Sequence, residues 1–160
     1  VAFALSLGLV ACDGKQAEPA QAPAETHAAQ PKKAEPTEKG PPPASIDEPT
    51  FKLVLEAEPN YAAEQEGKFR VVLTAQGGYH VNQDYPIRVD LKGPDGLKLP
   101  KPSLGKPDAT EFGEQKARFD VAFSAPKGAH GIEAKVDFAV CTEETCVPDE
   151  RTLALSLKVD

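Results

Sequence analysis

No apolar run in this 160-residue sequence reaches the roughly 18–20 residues that a membrane-spanning helix requires. Basic residues are outnumbered, 18 Lys and Arg against 25 Asp and Glu, giving a net charge of −7. Nucleic acid is therefore excluded as an expected partner, because phosphate binding needs a basic face. Methionine is absent, and no CxxC motif occurs. No Gly-rich phosphate loop, Ser-His-Asp ordering or obvious carboxylate dyad stands out, so hydrolytic and phosphoryl chemistry find no support. No stretch carries a helical period with caps. Cysteine is scarce and odd in number, with Cys12, Cys141 and Cys146. In an exported protein a leftover cysteine calls for an explanation.

What is present divides into two parts. Proline is densest before Thr50, while β-branched and aromatic residues gather after it. Val1 to Ala11 reads VAFALSLGLVA, an apolar run of signal-peptide core length. The usual positive start is missing, and we expect the sequence to begin inside the signal peptide. Leu9-Val10-Ala11-Cys12 resembles the lipobox of bacterial lipoproteins, which makes Cys12 the expected lipidation site and leaves Cys141 and Cys146 as a closed pair. Several acyl chains hold a protein firmly where one is marginal. Asp13, directly after the cysteine, points to inner-membrane retention within a periplasm-facing cell envelope. Residues 12–49 read as a disordered Pro/Ala/Glu/Lys-rich tether, since they offer too little apolar surface to offset ordering entropy.

Residues 50–160 alternate. Phe51, Leu53, Leu55 and Ala57 share one face, as do Phe69, Val71, Leu73 and Ala75, and then Ile87, Val89 and Leu91. Ala117 to Phe123, Ile132 to Val140 and Leu153 to Val159 repeat the pattern. Period two with polar residues between marks half-buried antiparallel strands. Gly77-Gly78, Gly93-Pro94-Asp95-Gly96 and Ala125-Pro126-Lys127-Gly128 supply turns. The expected fold is all-β, an immunoglobulin-like antiparallel sandwich of six or seven strands. Lys98 to Gln115, with three prolines, reads as a long irregular loop suited to a function.

Cys141-Thr142-Glu143-Glu144-Thr145-Cys146 has hairpin spacing, which brings the two cysteines within disulfide range across a strand pair. An oxidising compartment makes the disulfide the resting state. Two roles compete. As a structural staple in a non-catalytic binding or scaffolding lipoprotein, the bridge closes a short loop and contributes about 2 kcal/mol. As an exchange site it needs access, which a hairpin tip gives, although Glu143 and Glu144 oppose thiolate formation. Spacing alone favours the staple. A third reading, a copper or zinc site built from the thiolates with His80 or His130, lacks supporting ligand spacing. His80 and His130 read as surface or turn residues, and no cofactor or metal is called for.

Gly78-Tyr79-His80-Val81-Asn82, Tyr85-Pro86, and the run from Val136 through Cys141 and Cys146 to Glu150 resemble the N-terminal periplasmic domain of the thiol:disulfide interchange protein DsbD, over roughly Phe51 to Asp160. The resemblance implies that Cys141 and Cys146 are a redox pair, possessed by an oxidoreductase component that passes electrons between a membrane electron carrier and thioredoxin-like periplasmic proteins. It turns the balance toward exchange. In that light the chain is expected to be a stand-alone lipoprotein whose electron donor is a separate protein. The four-residue spacing is slightly shorter than in the best-known members. Their shielding acidic-acidic-Phe motif is matched only partly by Glu111-Phe112, and no capping role is carried over.

Overall fold

The computed structural model describes residues 41–160. The expected signal peptide, the expected lipidation site at Cys12 and the expected tether up to residue 40 lie outside the described residues. Among the described residues ten strands form two antiparallel sheets, and the alternation of the sequence decides which face of each is buried.

The first sheet contains β1 (Ser45–Glu48), β2 (Phe51–Glu56), β3 (Gly67–Ala75), β7 (Glu111–Phe112) and β8 (Lys116–Phe123), in the order β1-β2-β3-β8-β7. The second contains β5 (Arg88–Lys92), β6 (Ser103–Gly105), β9 (Gly128–Cys141) and β10 (Cys146–Val159), in the order β10-β9-β5-β6. The two-residue β4 (His80–Val81) pairs with the end of β9, on the flank opposite β10. The core lies between the sheets. Phe51, Leu53, Phe69, Leu73, Phe119 and Phe123 come from one side, and Val89, Ile132, Val136, Phe138, Leu153 and Leu157 from the other. Phe51 meets Phe138 edge to face across this interior, with ring centroids 4.8 Å apart, a geometry that suits the aromatic quadrupoles. This is the all-β, immunoglobulin-like sandwich the alternation implied.

Three expectations are corrected. The tether was expected to run to residue 49, yet β1 pairs with β2 from Ser45↔Val54 to Glu48↔Phe51. The Ala44 and Pro43 carbonyls also accept bonds from Leu55 and Ala154. Ile46, packed against the core, gives this strand its apolar contact. Lys98 to Gln115 was expected to be an irregular loop. It is instead broken into β6, a single 3-10 turn at Lys106–Asp108, and β7, and it carries the chain from the second sheet to the first. His130 was expected at the surface but is buried, with Nε2 2.7 Å from the Pro126 carbonyl oxygen.

The connection that delivers β4 to the end of β9 is Gly77-Gly78. It swings the chain from β3 in the first sheet to β4 in the second. Both glycines have positive φ, and a Cβ at Gly77 would lie 2.4 Å from the Pro49 carbonyl oxygen. Only glycine takes this path without strain.

Because β1 is paired and partly buried, a chain lacking residues 1–40 should unfold cooperatively in urea. One lacking residues 1–48 should be less stable by about 1–3 kcal/mol, the worth of a few lost ladder bonds and a half-buried isoleucine. Equal midpoints would show that the folded unit begins only at β2.

Candidate functional site

The site grows from the β9–β10 hairpin. The register runs from Val159↔Gly128 to Cys146↔Cys141 without interruption. Residues at 130, 132, 134, 136, 138 and 140 point into the core. Cys141, one step out of phase with Val140, therefore belongs to the outer face. Its partner Cys146 shares that face, as directly opposed residues do.

The hairpin tip is closed by Thr142. Its backbone N–H donates to the Thr145 carbonyl at 2.8 Å. Its hydroxyl oxygen accepts from the Glu144 and Thr145 N–H groups at 3.3 and 3.2 Å. The adjoining Cys141–Cys146 pair thus falls at a non-hydrogen-bonded position, where facing side chains come closest. The two Cα atoms are 4.0 Å apart and the sulfurs are joined in a disulfide.

The two sulfurs do not share one environment. Cys141 is 2% exposed, enclosed between β10 and β4. Cys146 is exposed, and the neighbouring Val147, 41% exposed, is the one large hydrophobic residue presented to solvent among the described residues. His80 stands opposite Cys141 on β4, so the cysteine has a cross-strand neighbour on both flanks. Beyond β4, the Asn82 amide Nδ2 lies 3.1 Å from Cys141 Sγ and 3.5 Å from Cys146 Sγ.

Other groups frame the pair. The Val81 N–H donates to the Glu114 carbonyl, which brings the segment after β7 alongside β4. Glu114, Gly78, Tyr79, His80 and Glu143 line a cavity of about 470 Å³ beside the hairpin. The Lys106 ammonium donates to the Gln83 carbonyl at 2.6 Å and sits 5.2 Å from the centre of the Phe112 ring. Phe112 is half-buried against the margin of the core. The hairpin loop carries Glu143 and Glu144, both exposed.

Sequence reasoning named Cys141 and Cys146, and the structure brings them together. His80 and His130 are not brought together. His80 is beside Cys141, whereas His130 lies eleven positions back along β9, about 36 Å of extended strand away. His130 and the cysteines cannot share an ion. Asn82 and Thr142 were missed as site residues. Asn82-Gln83-Asp84-Tyr85 has the composition of an Asx turn, a signal that could have located its side chain.

The same outer face carries a carboxyl pair, Asp137 and Glu150, directly opposed in the register. Burial pushes the Asp137 carboxyl above the ordinary aspartate value of 3.8, assisted by its hydrogen bond to Glu150 and by the charge of that neighbour. Lys135 pairs with Glu150 at 3.0 Å and partly offsets the effect. A raised carboxyl holds its proton more tightly in the folded chain. The linked stability is complete below pH 3.8 and is lost as the pH rises through the raised value. Asp137→Asn should therefore melt higher than the parent at pH 7, and the gain should shrink as the pH is lowered toward 4. Thermal melts at the two pH values check this, and an unchanged or lower melting temperature at pH 7 would contradict it.

The chain matches the family described as thiol:disulfide interchange protein DsbD, N-terminal, over residues 49–158. The match takes in β2 through nearly all of β10, while β1 lies before it. No curated protein matches the chain. Among solved structures, the GAE domain of GGA2p from Saccharomyces cerevisiae is similar with a TM-score of 0.46 and 14% identity, over 71% of this chain and 95% of that one. AggA, the major subunit of aggregative adherence fimbriae type I from Escherichia coli, is similar with a TM-score of 0.36 and 8% identity, over 69% and 95%.

Proposed function

The chain belongs to the DsbD N-terminal domain family, and on that premise we propose that it performs thiol–disulfide exchange through Cys141 and Cys146. The observation that carries the reading is the asymmetry of the pair: Cys146 is exposed at a hairpin tip, and Cys141 is buried behind it. Exchange needs one sulfur open to in-line attack and a second able to leave.

The step balances with a thiol partner alone. A partner thiolate attacks Cys146 Sγ, a new S–S bond forms, the Cys141–Cys146 bond breaks, and its electron pair moves to Cys141 Sγ. A second partner thiol then attacks the partner's own sulfur in the mixed disulfide. This releases Cys146 as a thiolate and leaves the partner oxidised. Run backwards, the reduced pair passes two electrons to a partner disulfide. The partners of this chemistry are thioredoxin-like periplasmic proteins and a membrane electron carrier. The lipobox-like Leu9-Val10-Ala11-Cys12 would tether the domain to the envelope by lipid at Cys12, facing the periplasm.

The rival role, a staple in a non-catalytic lipoprotein, draws little from the bridge's position. The disulfide closes a short loop at the end of a hairpin already paired over fourteen residues per strand, and it does not link the two sheets. Its loss should cost about 2 kcal/mol.

Cys141→Ala should leave Cys146 able to trap a thioredoxin-like partner as a mixed disulfide. Cys146→Ala should trap at least about tenfold less, because attack requires access. Reduction should leave the β-sheet circular dichroism intact, and the potential should lie above roughly −300 mV, the range of labile rather than structural bridges. Trapping by neither variant, a lower potential and unfolding on reduction would together assign the disulfide a structural role.

A further inference from the structure

We propose that Asn82 is a positioning residue for this exchange, one whose side-chain amide stabilises the negative charge that collects on Cys141 when the disulfide opens. The inference rests on the exchange reading above, but its test does not need a protein partner.

The amide is locked. Asn82 Oδ1 accepts from the backbone N–H groups of Asp84 at 2.8 Å and Tyr85 at 3.1 Å. Two N–H donors can face only the oxygen of an amide, so the opposite end, the Nδ2 that reaches both sulfurs, is fixed as the donor. The backbone is held as well, because the Asn82 N–H donates to the Ala139 carbonyl at 2.9 Å. The Gln83 carbonyl is in turn held by Lys106. A side chain held by two bonds at its oxygen, on a backbone that is itself anchored, keeps its donor in place while the sulfurs change partners.

The chemistry gives that donor something to do. When an incoming thiolate attacks Cys146 Sγ, the electron pair of the broken bond goes to Cys141 Sγ. That sulfur sits in a site 2% exposed, where water cannot solvate the new anion and an uncompensated charge is costly. A disulfide sulfur is a weak acceptor, whereas a hydrogen bond to a charged acceptor is roughly twice as strong as a neutral one. The Nδ2 contact therefore strengthens as the reaction proceeds, which is the condition for lowering a barrier rather than merely binding. Charged or titratable groups around the pair include Glu143 and Glu144 in the hairpin loop, His80 across on β4, Tyr79 and Glu114 beside β4, and Asp84, Tyr85 and Lys106 beyond Asn82. The four carboxylates oppose an anion here, which leaves the neutral amide as the donor seated on the sulfur.

Two variants of the full chain separate the donor from the turn it belongs to. Asn82→Asp keeps an oxygen to accept from Asp84 and Tyr85 but replaces the donor with a negative oxygen. Asn82→Ala removes the donor without adding charge. The rate of reduction by dithiothreitol is measured across pH in each. The thiolate absorbance of Cys141 is titrated in the Cys146→Ala background. With Asn82→Ala we expect reduction about tenfold slower and a Cys141 midpoint about one pH unit higher, these being the same free energy read two ways. Asn82→Asp should move both further in the same direction at an unchanged melting temperature. Unchanged rates and midpoints in the Asn82→Ala chain would overturn the proposal, whatever the fate of Asn82→Asp. If the Cys141→Ala chain fails to trap any thioredoxin-like partner while the Asn82 variants still shift the titration, the exchange reading falls and the role of Asn82 as thiolate donor stands.

Discussion

The register between β9 and β10 is the constraint on which the rest of the molecule depends. Fourteen residues of each strand pair without a bulge, from Gly128 opposite Val159 to Cys141 opposite Cys146. Side chains alternate with period two, so a slip of one residue would turn Ile132, Val136, Phe138 and Leu153 out of the core. The hydrophobic interior thus holds the register, and the register places two cysteines face to face at the tip. The sulfurs need no recognition of their own to find each other. The same alignment sets Asp137 against Glu150 on the outer face, where the pair tolerates a charge conflict because Lys135 lies close to both.

The proposed exchange site lies where that regular hairpin meets an irregular neighbour. Gly77-Gly78 carries the chain between sheets and delivers β4 to the far flank of Cys141. The consequence is an unequal pair, one sulfur enclosed between two strands and one facing solvent beside Val147 and Pro148. An exposed pair at a free hairpin tip would have two equivalent sulfurs and no assigned leaving group. Here β4 and the Asx turn that follows it enclose Cys141 and supply it with a donor.

The sequence disclosed the parts of this arrangement that repeat and concealed the parts that do not. β2, β3, β5, β8, β9 and β10 are long enough for alternation to be read, and their inward residues are found buried, save Ala57, exposed beyond the end of β2, and Leu155, which is partly buried. β1 was hidden because Ser45-Ile46-Asp47-Glu48 has one apolar residue and follows a proline run, so its composition matches a tether. β4, β6 and β7 are two or three residues long and carry no period at all. The cysteine pair was legible because its contact is local, five residues apart. Asn82 was not, because it meets Cys141 across a separation of 59 residues, and only the completed second sheet brings them together. His130 was misread because its ring finds a hydrogen-bond partner in the Pro126 carbonyl, which makes burial tolerable for a polar residue.

The central claim is that burial divides the labour between the two sulfurs. It is tested most directly by locating the site of attack on the native disulfide. The oxidised full chain is exposed briefly to glutathione, quenched in acid and alkylated, and the glutathionylated peptide is identified by mass spectrometry. Glutathione is expected on Cys146 and the alkylating label on Cys141. Glutathione on Cys141, or on the two cysteines equally, would contradict it.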